Sequence, residues 1–423
     1  MRFRTLDQWL DWQRGLHPRE IELGLERVGR VWRRMCPAGL PGPVISIAGT
    51  NGKGSSVALL EAILGAAGYR TGCYTSPHLV RYNERIRLNG EPVDDDRLCH
   101  AFDRVDRARD GIPLTYFEFG TLAALAIFAD AAPEAVILEV GLGGRLDAVN
   151  VVDADAALIT PINLDHTAWL GDTVEQIARE KAGIMRPARP AVCTSARPPR
   201  SLLDHAREHG VPLDLAGRDF GWQPEPDGWS WWGGGERRRA LPLPALRGRC
   251  QLDNAAAVLM LLARLKQRLP VDQQAVRNGL QGVRLPGRFQ VLPGEPTIVL
   301  DVAHNAGAAV VLADNLRQMA HPGRTLAVFG MLADKDAGAV ARALEGVIDH
   351  WLVTGLDQAD RGQDADSVAR QLLDAGVPPL RVDRFATPGQ ALAAARERAL
   401  PGDRLLIFGS FLLVGELLDQ LQQ

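Results

Sequence analysis

Residues 49–55 read Gly-Thr-Asn-Gly-Lys-Gly-Ser, and almost every residue type in that string has a separate use in holding a chain of phosphates. Gly49, Gly52 and Gly54 let backbone N–H groups approach phosphate oxygens, with Thr50 and Asn51 in the turn between the first two. Lys53 brings a positive point charge, and Ser55 offers a hydroxyl to magnesium. The spacing is not the usual G-x-x-x-x-G-K-[ST]: Ile47 stands where the first glycine belongs, and Gly54 separates Lys53 from Ser55. A plain turn is the competing reading. The apolar run at 44–48 and the helical pattern at 57–64 argue against it, because they make the string a strand–loop–helix junction that opens a helix N-terminus toward the phosphates. A nucleoside triphosphate is the expected ligand.

Other polar residues stand at the ends of apolar runs. The run at 135–138 ends in Glu139 and continues into the glycine-rich 141–147. A carboxylate at the carboxyl end of a parallel strand faces the crevice where ligands bind, and a metal is its natural partner; a place on an edge strand, or in a salt bridge, is the alternative. Asp165 and His166 follow the run at 158–160, with His166 either a magnesium ligand or a surface loop residue. Lys181, in Arg-Glu-Lys-Ala-Gly-Ile at 179–184, reads from the residues alone as a solvent-facing helix position. Asp301 and His304 close the first apolar run of the second half, where they could reach a ligand cleft.

These residues need a scaffold, and the pattern supplies one. From residue 44 onward short β-branched runs alternate with helical stretches, the signature of an α/β fold with a mostly parallel sheet. The tryptophan- and glycine-rich stretch 215–247 interrupts this and reads as a hairpin or small antiparallel patch on the sheet edge. After the Pro-Gly punctuation at 286–287 the alternation restarts. The expectation is a P-loop-type domain over 1–289, followed by a smaller Rossmann-like α/β domain over 290–423 without a phosphate loop of its own.

Composition narrows the partners. A chain of 423 residues with 46% hydrophobic and 23% charged residues suits two or three globular units. A net charge of −3 speaks against nucleic acid or an anionic membrane as the main partner. The apolar stretches at 122–129 and 255–263 are far shorter than the ~20 residues needed to span a bilayer and read as buried helices. No signal-peptide pattern opens the chain, and five cysteines without C-x-x-C spacing suit reduced thiols, so a cytoplasmic setting is expected.

Together the motifs resemble the folate branch of the Mur ligase superfamily, that is, the bifunctional dihydrofolate synthase/folylpolyglutamate synthases. The resemblance rests on Gly-Thr-Asn-Gly-Lys-Gly-Ser at 49–55, Thr-Ser-Pro-His-Leu at 75–79, Asn-Glu-Arg-Ile-Arg at 83–87, Thr-Tyr-Phe-Glu-Phe-Gly-Thr-Leu at 115–122 and residues 139–150. It extends through 164–171, 179–184, Leu-Pro-Gly-Arg-Phe-Gln at 285–290 and Asp-Val-Ala-His-Asn at 301–305, nearly the whole chain. It implies ATP on residues 49–55, Asn254, Arg288 and Asp301, and two magnesium ions on Ser55, Ser76, Glu139 and His166. It also implies a carbamylated Lys181 supporting the second metal, which reverses the solvent-facing reading. His304 would lie near L-glutamate, and Leu23, Thr115, Phe117, Asp147 and Ala148 near the pterin. The implied activity is ATP-driven ligation of L-glutamate to dihydropteroate and to folates through an acyl phosphate, by a monomer. A monofunctional folylpolyglutamate synthase and another Mur-type amino-acid ligase are the alternatives, although the 43 residues before the first strand are few for the extra domain of a peptidoglycan ligase. A nucleotide-dependent switch would leave residues 301–305 unexplained.

Overall fold

The computed structural model describes residues 1–319, 321–356 and 361–422, and the chain divides into two units. The first comprises Met1–His78, Tyr82–Ala245 and Gln251–Val283; the second comprises Leu79–Arg81, Leu246–Cys250 and Arg284–Gln423.

In the first unit, eight strands form one sheet: β1 Val44–Ala48, β2 Thr71–Tyr74, β3 Ile86–Leu88, β4 Glu91–Pro92, β5 Ala135–Glu139, β6 Ala156–Ile159, β7 Ala191–Cys193 and β8 Leu213–Leu215. Their order is β4-β3-β2-β5-β1-β6-β7-β8, parallel from β2 to β8. Strands β3 and β4 run antiparallel at one edge. β1 and β5 are buried along their whole length, as strands covered by helices on both faces must be. The helix Lys53–Ala66 leaves the end of β1, and its buried Glu61 accepts from Arg87 Nε at 2.9 Å and Nη2 at 2.8 Å, tying it to β3. The stretches expected to be buried helices are so: Leu122–Phe128 lie in the helix Tyr116–Ala131, and Ala255–Leu262 in the helix Arg249–Arg264.

The stretch expected as an edge patch is instead a separate antiparallel sheet of β9 Phe220–Glu225, β10 Gly228–Gly233 and β11 Glu236–Leu241, in the order β11-β10-β9. Its aromatic content explains the separation. Trp229 and Trp231 are wholly buried, and Trp231 Nε1 donates to the Ala256 carbonyl at 3.0 Å. The sheet thus has its own apolar face to cover, and it covers the helix that carries Asn254.

In the second unit, β12 Gln290–Leu292, β13 Thr297–Asp301, β14 Thr325–Phe329, β15 His350–Thr354, β16 Val382–Phe385 and β17 Arg404–Phe408 form a six-stranded sheet in the order β12-β13-β17-β14-β15-β16. All pairs are parallel except β12 with β13. Two apolar clusters contain its core, one including Phe329, Trp351 and Phe408 and the other Leu352, Ile407 and Val414. Among the described residues no helix is long and apolar enough to cross a membrane.

Replacing Trp231 by Phe deletes the donor to Ala256 and leaves a small void. The substitution is expected to lower unfolding free energy by ~1–3 kcal/mol in urea denaturation, whereas Trp232→Phe, at a half-buried position of the same strand, should change it much less. Equal stability of wild type and W231F would mean that this sheet does not brace the Asn254 helix.

Candidate active site

Gly49 follows β1 directly and has φ +153, a region that side chains avoid. A Cβ there would lie 1.8 Å from Thr160 Oγ1, so the loop can pass over the end of β6 only as glycine. β6 continues into residues that clasp the loop. Thr50 N donates to the Pro161 carbonyl at 2.8 Å, Thr50 Oγ1 donates to the Asn163 carbonyl at 3.1 Å, and Asn163 N donates back to Thr50 Oγ1 at 3.0 Å. Gly52, with φ +92, is the cap of the helix Lys53–Ala66, and a Cβ on it would meet Asn254 Oδ1 at 3.0 Å. Asn254 is therefore brought against the loop, its amide donating to Gln251 Oε1 at 3.0 Å. Ser55 is buried in the first turn of the helix.

Lys53 Nζ donates to the carbonyls of Gly49 at 3.2 Å and Thr50 at 3.3 Å. A second ammonium group reaches the same carbonyl: Lys181 Nζ donates to Gly49 O at 2.9 Å. The reading of Lys181 as solvent-facing is overturned, for only 4% of the residue is exposed. Burial, and then the positive charge of Lys53, push its pKa down to about 7, against smaller opposing effects of Asp165 and Asp147. Lys181 is thus an amine substantially neutral near neutral pH, unlike an ordinary lysine.

Glu139 ends β5, which lies between β2 and β1, so the edge-strand alternative falls. It is 5% exposed, and its Oε2 accepts from Ser76 N at 3.3 Å, bringing two expected metal ligands together. His166 is the third, in a left-handed turn with φ 51, its N–H donating to Asp165 Oδ1 at 2.9 Å. Among the described residues no three His, Cys, Asp or Glu side chains gather as a ready metal site. The donors present, serine hydroxyls with one carboxylate and one imidazole, fit a hard cation completed by phosphate oxygens and water, the way magnesium binds beside nucleotides.

The expected pterin contacts other than Thr115 lie in 141–148 or beside it. Gly24 N, next to Leu23, donates to the Leu146 carbonyl at 3.1 Å, and Phe117 packs on Gly141, where a Cβ would lie 2.5 Å from its ring. Leu23 and Phe117 are half-buried, whereas Thr115, Asp147 and Ala148 are buried. The Thr115 hydroxyl accepts from Glu118 N at 3.2 Å, and Glu118 Oε2 accepts from Thr115 N at 2.9 Å, a capping box that starts the helix Tyr116–Ala131. Asp147 accepts from Leu142 N at 2.8 Å and Val149 N at 3.0 Å, while burial raises its pKa to about 6. Both the Thr115 and Asp147 side chains are thus engaged by backbone N–H groups.

In the second unit, Asp301 accepts from Phe289 N and Ala303 N, both at 2.8 Å, and burial raises its pKa. The Arg288 guanidinium lies 4.9 Å from the Phe411 ring centre, and the His304 ring lies 6.1 Å from it. His304 Nδ1 is 2.8 Å from the Val302 carbonyl, so it carries the proton and donates. Sequence reasoning passed over Phe411, although Gly409-Ser410-Phe411 after the apolar β17 repeats the strand–glycine signal of the first unit.

Residues 47–212 match the Mur ligase middle domain, and residues 287–411 match the Mur ligase glutamate ligase domain. The dihydrofolate synthase/folylpolyglutamate synthase of Escherichia coli strain K12 is 41% identical over 415 residues, spanning 98% of this chain and 95% of its own. The chain belongs to the dihydrofolate synthase/folylpolyglutamate synthase family. The structure of E. coli FolC in complex with DHPP and ADP superposes with a TM-score of 0.93 at 40% identity, covering 99% of this chain and 98% of that one. A bifunctional folylpolyglutamate synthase/dihydrofolate synthase with Mn, AMPPNP and L-glutamate bound gives 0.91 at 41%, with coverages of 99% and 98%.

The Gly49 geometry has a direct consequence. Gly49→Ala must displace either the loop or Thr160, and ADP binding measured by calorimetry should weaken by about ten- to a hundredfold. Gly65→Ala in the same helix, where a Cβ meets nothing within 4 Å, should bind ADP like wild type. Undiminished affinity in G49A would remove this loop from the nucleotide site.

Proposed function

We propose that this chain is an ATP-dependent ligase that joins L-glutamate to dihydropteroate, giving dihydrofolate, and to reduced folates, giving folylpolyglutamates. The observation that carries the reading is the meeting at the Gly49 carbonyl of a phosphate loop, Lys53 and a buried, weakly basic Lys181. Family membership and relatives bearing both activities in their names support it.

ATP lies on residues 49–55 and Asn254, with Arg288 and Asp301 of the second unit as further contacts. The folate carboxylate oxygen attacks the γ-phosphorus and ADP leaves, giving an acyl phosphate. The glutamate amine then attacks the acyl carbon, loses a proton, and inorganic phosphate departs. Lys53 leaves its carbonyl partners for the phosphates and offsets charge that builds on the transferring oxygens. Magnesium held by Ser55, Ser76, Glu139 and His166 supplies Lewis-acid polarisation of the phosphate oxygens when bound. His304 lies at the glutamate amine, and Leu23, Thr115, Phe117, Asp147 and Ala148 form the pterin site. We assign the nucleotide and pterin contacts chiefly to residues 1–289 and the glutamate contact to 290–423. The reading extends to a monomer acting on small molecules in the cytoplasm, with no nucleic-acid or membrane partner; the modest net charge of −3 is its support.

Lys181 enters as a carbamate. An amine adds to carbon dioxide only when unprotonated, and its lowered pKa makes it competent near neutrality. The product is an anion suited to supporting a second magnesium ion.

Lys53→Ala is expected to reduce ligation with either folate substrate by at least about a hundredfold, read as glutamate-dependent ADP release. Near-normal turnover would sink the nucleotide assignment. Offering dihydropteroate and tetrahydrofolate in parallel separates the bifunctional enzyme from a monofunctional folylpolyglutamate synthase, which would ignore the former. For Lys181, labelled bicarbonate should give a carbamate carbon signal by NMR that grows as pH rises through about 7, where the amine loses its proton, and that is missing in Lys181→Ala. The same shift has a stability signature. The unfolded chain binds the extra proton between about 7 and the ordinary lysine value near 10.4, so the cost of burying this group shrinks, and stability in urea denaturation rises, as pH rises across that window. No wild-type carbamate signal would refute the modification and leave the ligase reading standing.

A further inference from the structure

We propose that Arg85 binds a carboxylate group of the pteroate or folate substrate. The inference rests on the ligase reading and adds to it a recognition residue that the nucleotide, metal and pterin assignments leave out.

Two arginines, Arg85 and Arg87, stand in one short segment. Arg87 has the contacts of a structural residue: Nε and Nη2 donate to Glu61 Oε2 at 2.9 and 2.8 Å, and Nη1 donates to Thr75 Oγ1 and the Glu84 carbonyl, both at 3.0 Å. Arg85 is held differently. Its Nε donates to His78 Nδ1 at 2.8 Å, and its guanidinium carbon lies 5.2 Å from the Tyr82 ring centre and 5.7 Å from that of Tyr116. Those two rings meet edge to face, with centres 5.8 Å apart, and the His78 ring lies 5.8 Å from Tyr82. Among the described residues Arg85 forms no ion pair, and its Nη1 and Nη2 have no hydrogen-bond acceptor.

A half-buried guanidinium fixed by two aromatic faces and an imidazole has its position determined without any anion. The edge left over, Nη1 with Nη2, is the planar fork that matches a carboxylate in two parallel hydrogen bonds. The charges that act on its ring neighbours are of both signs. Arg14 acts on both His78 and Tyr116, while Glu84 acts on His78 and Asp11 on Tyr116.

Location supplies the rest. The Arg85 carbonyl accepts from Thr75 N at 2.8 Å, which sets the residue beside Ser76 of the proposed metal site. Tyr116 stands between Thr115 and Phe117 of the proposed pterin site. A substrate reaching from one to the other passes Arg85 with its carboxylate end. Two carboxylates are eligible: the one that is activated, common to dihydropteroate and folates, and the glutamyl α-carboxylate, present only in folates.

The test compares wild type, Arg85→Gln and Arg85→Lys for KM and kcat with dihydropteroate and tetrahydrofolate, and for equilibrium binding of each without ATP by fluorescence quenching. In Arg85→Gln, KM and Kd should rise by about ten- to a hundredfold for at least one substrate, with partial recovery in Arg85→Lys. A rise for both assigns the activated carboxylate, and a rise for tetrahydrofolate alone assigns the α-carboxylate. Where Arg85→Gln fails to fold, Arg85→Met keeps the aliphatic stem over the rings and serves in its place. Folded variants with KM and Kd within twofold of wild type for both substrates would overturn the proposal. Wild type that ligates neither substrate would instead refute the ligase reading, and the binding arm would still decide Arg85.

Discussion

The hydrogen bond from Lys181 Nζ to the Gly49 carbonyl is the constraint on which the first unit's chemistry depends. It joins the phosphate loop to the helix Val174–Ala182, 132 residues further along the chain, and it is made by an amine withdrawn from water beside a second lysine. Burial, and then the positive charge of Lys53, disfavour the protonated form of Lys181. The same carbonyl thus receives the half-buried Lys53 and a buried amine of lowered basicity.

That placement depends on how closely backbones can approach. A Cβ on Gly144 would lie 2.8 Å from the Glu180 carbonyl and 3.1 Å from Lys181 Cα, and Arg145 N donates to the same Glu180 carbonyl at 2.7 Å. The glycine-rich run after β5 therefore presses directly on the helix turn that carries Lys181. Glu139 and Asp147 bracket this run, one at its strand end and one closing it through hydrogen bonds from backbone N–H groups. Of the metal, pterin and carbamate assignments, Glu139 and Asp147 fall at the two ends of this run and Lys181 on the helix turn packed against it.

This explains what the sequence could and could not disclose. The phosphate loop and Glu139 were legible because each depends on local order, an apolar strand followed by glycine and a polar residue. The alternation of strands and helices was legible for the same reason. Lys181 was not, since its burial comes from residues 144–145, far away in the chain, while its own helix looks amphipathic and ordinary. The antiparallel strands β3, β4 and β12 are three or fewer residues long, too short for any periodicity to show. The tryptophan-rich sheet was misplaced because composition reveals antiparallel pairing but not which surface the aromatic rings must cover.

Arg85 and Arg87 show the same limit at the scale of one side chain. Two residues apart and identical in type, they differ only in what the fold sets around them: a buried carboxylate on a neighbouring helix for one, two tyrosine rings and an imidazole for the other. In the second unit the Arg288 guanidinium likewise lies over the Phe411 ring, and Asp301 accepts from the backbone N–H groups of Phe289 and Ala303. In both places an aromatic face lies beside the cation, and a ring contact uses none of a guanidinium's N–H donors. Arg87, held by Glu61, has met its anion, whereas Arg85, set against two rings, is the one proposed above to meet another.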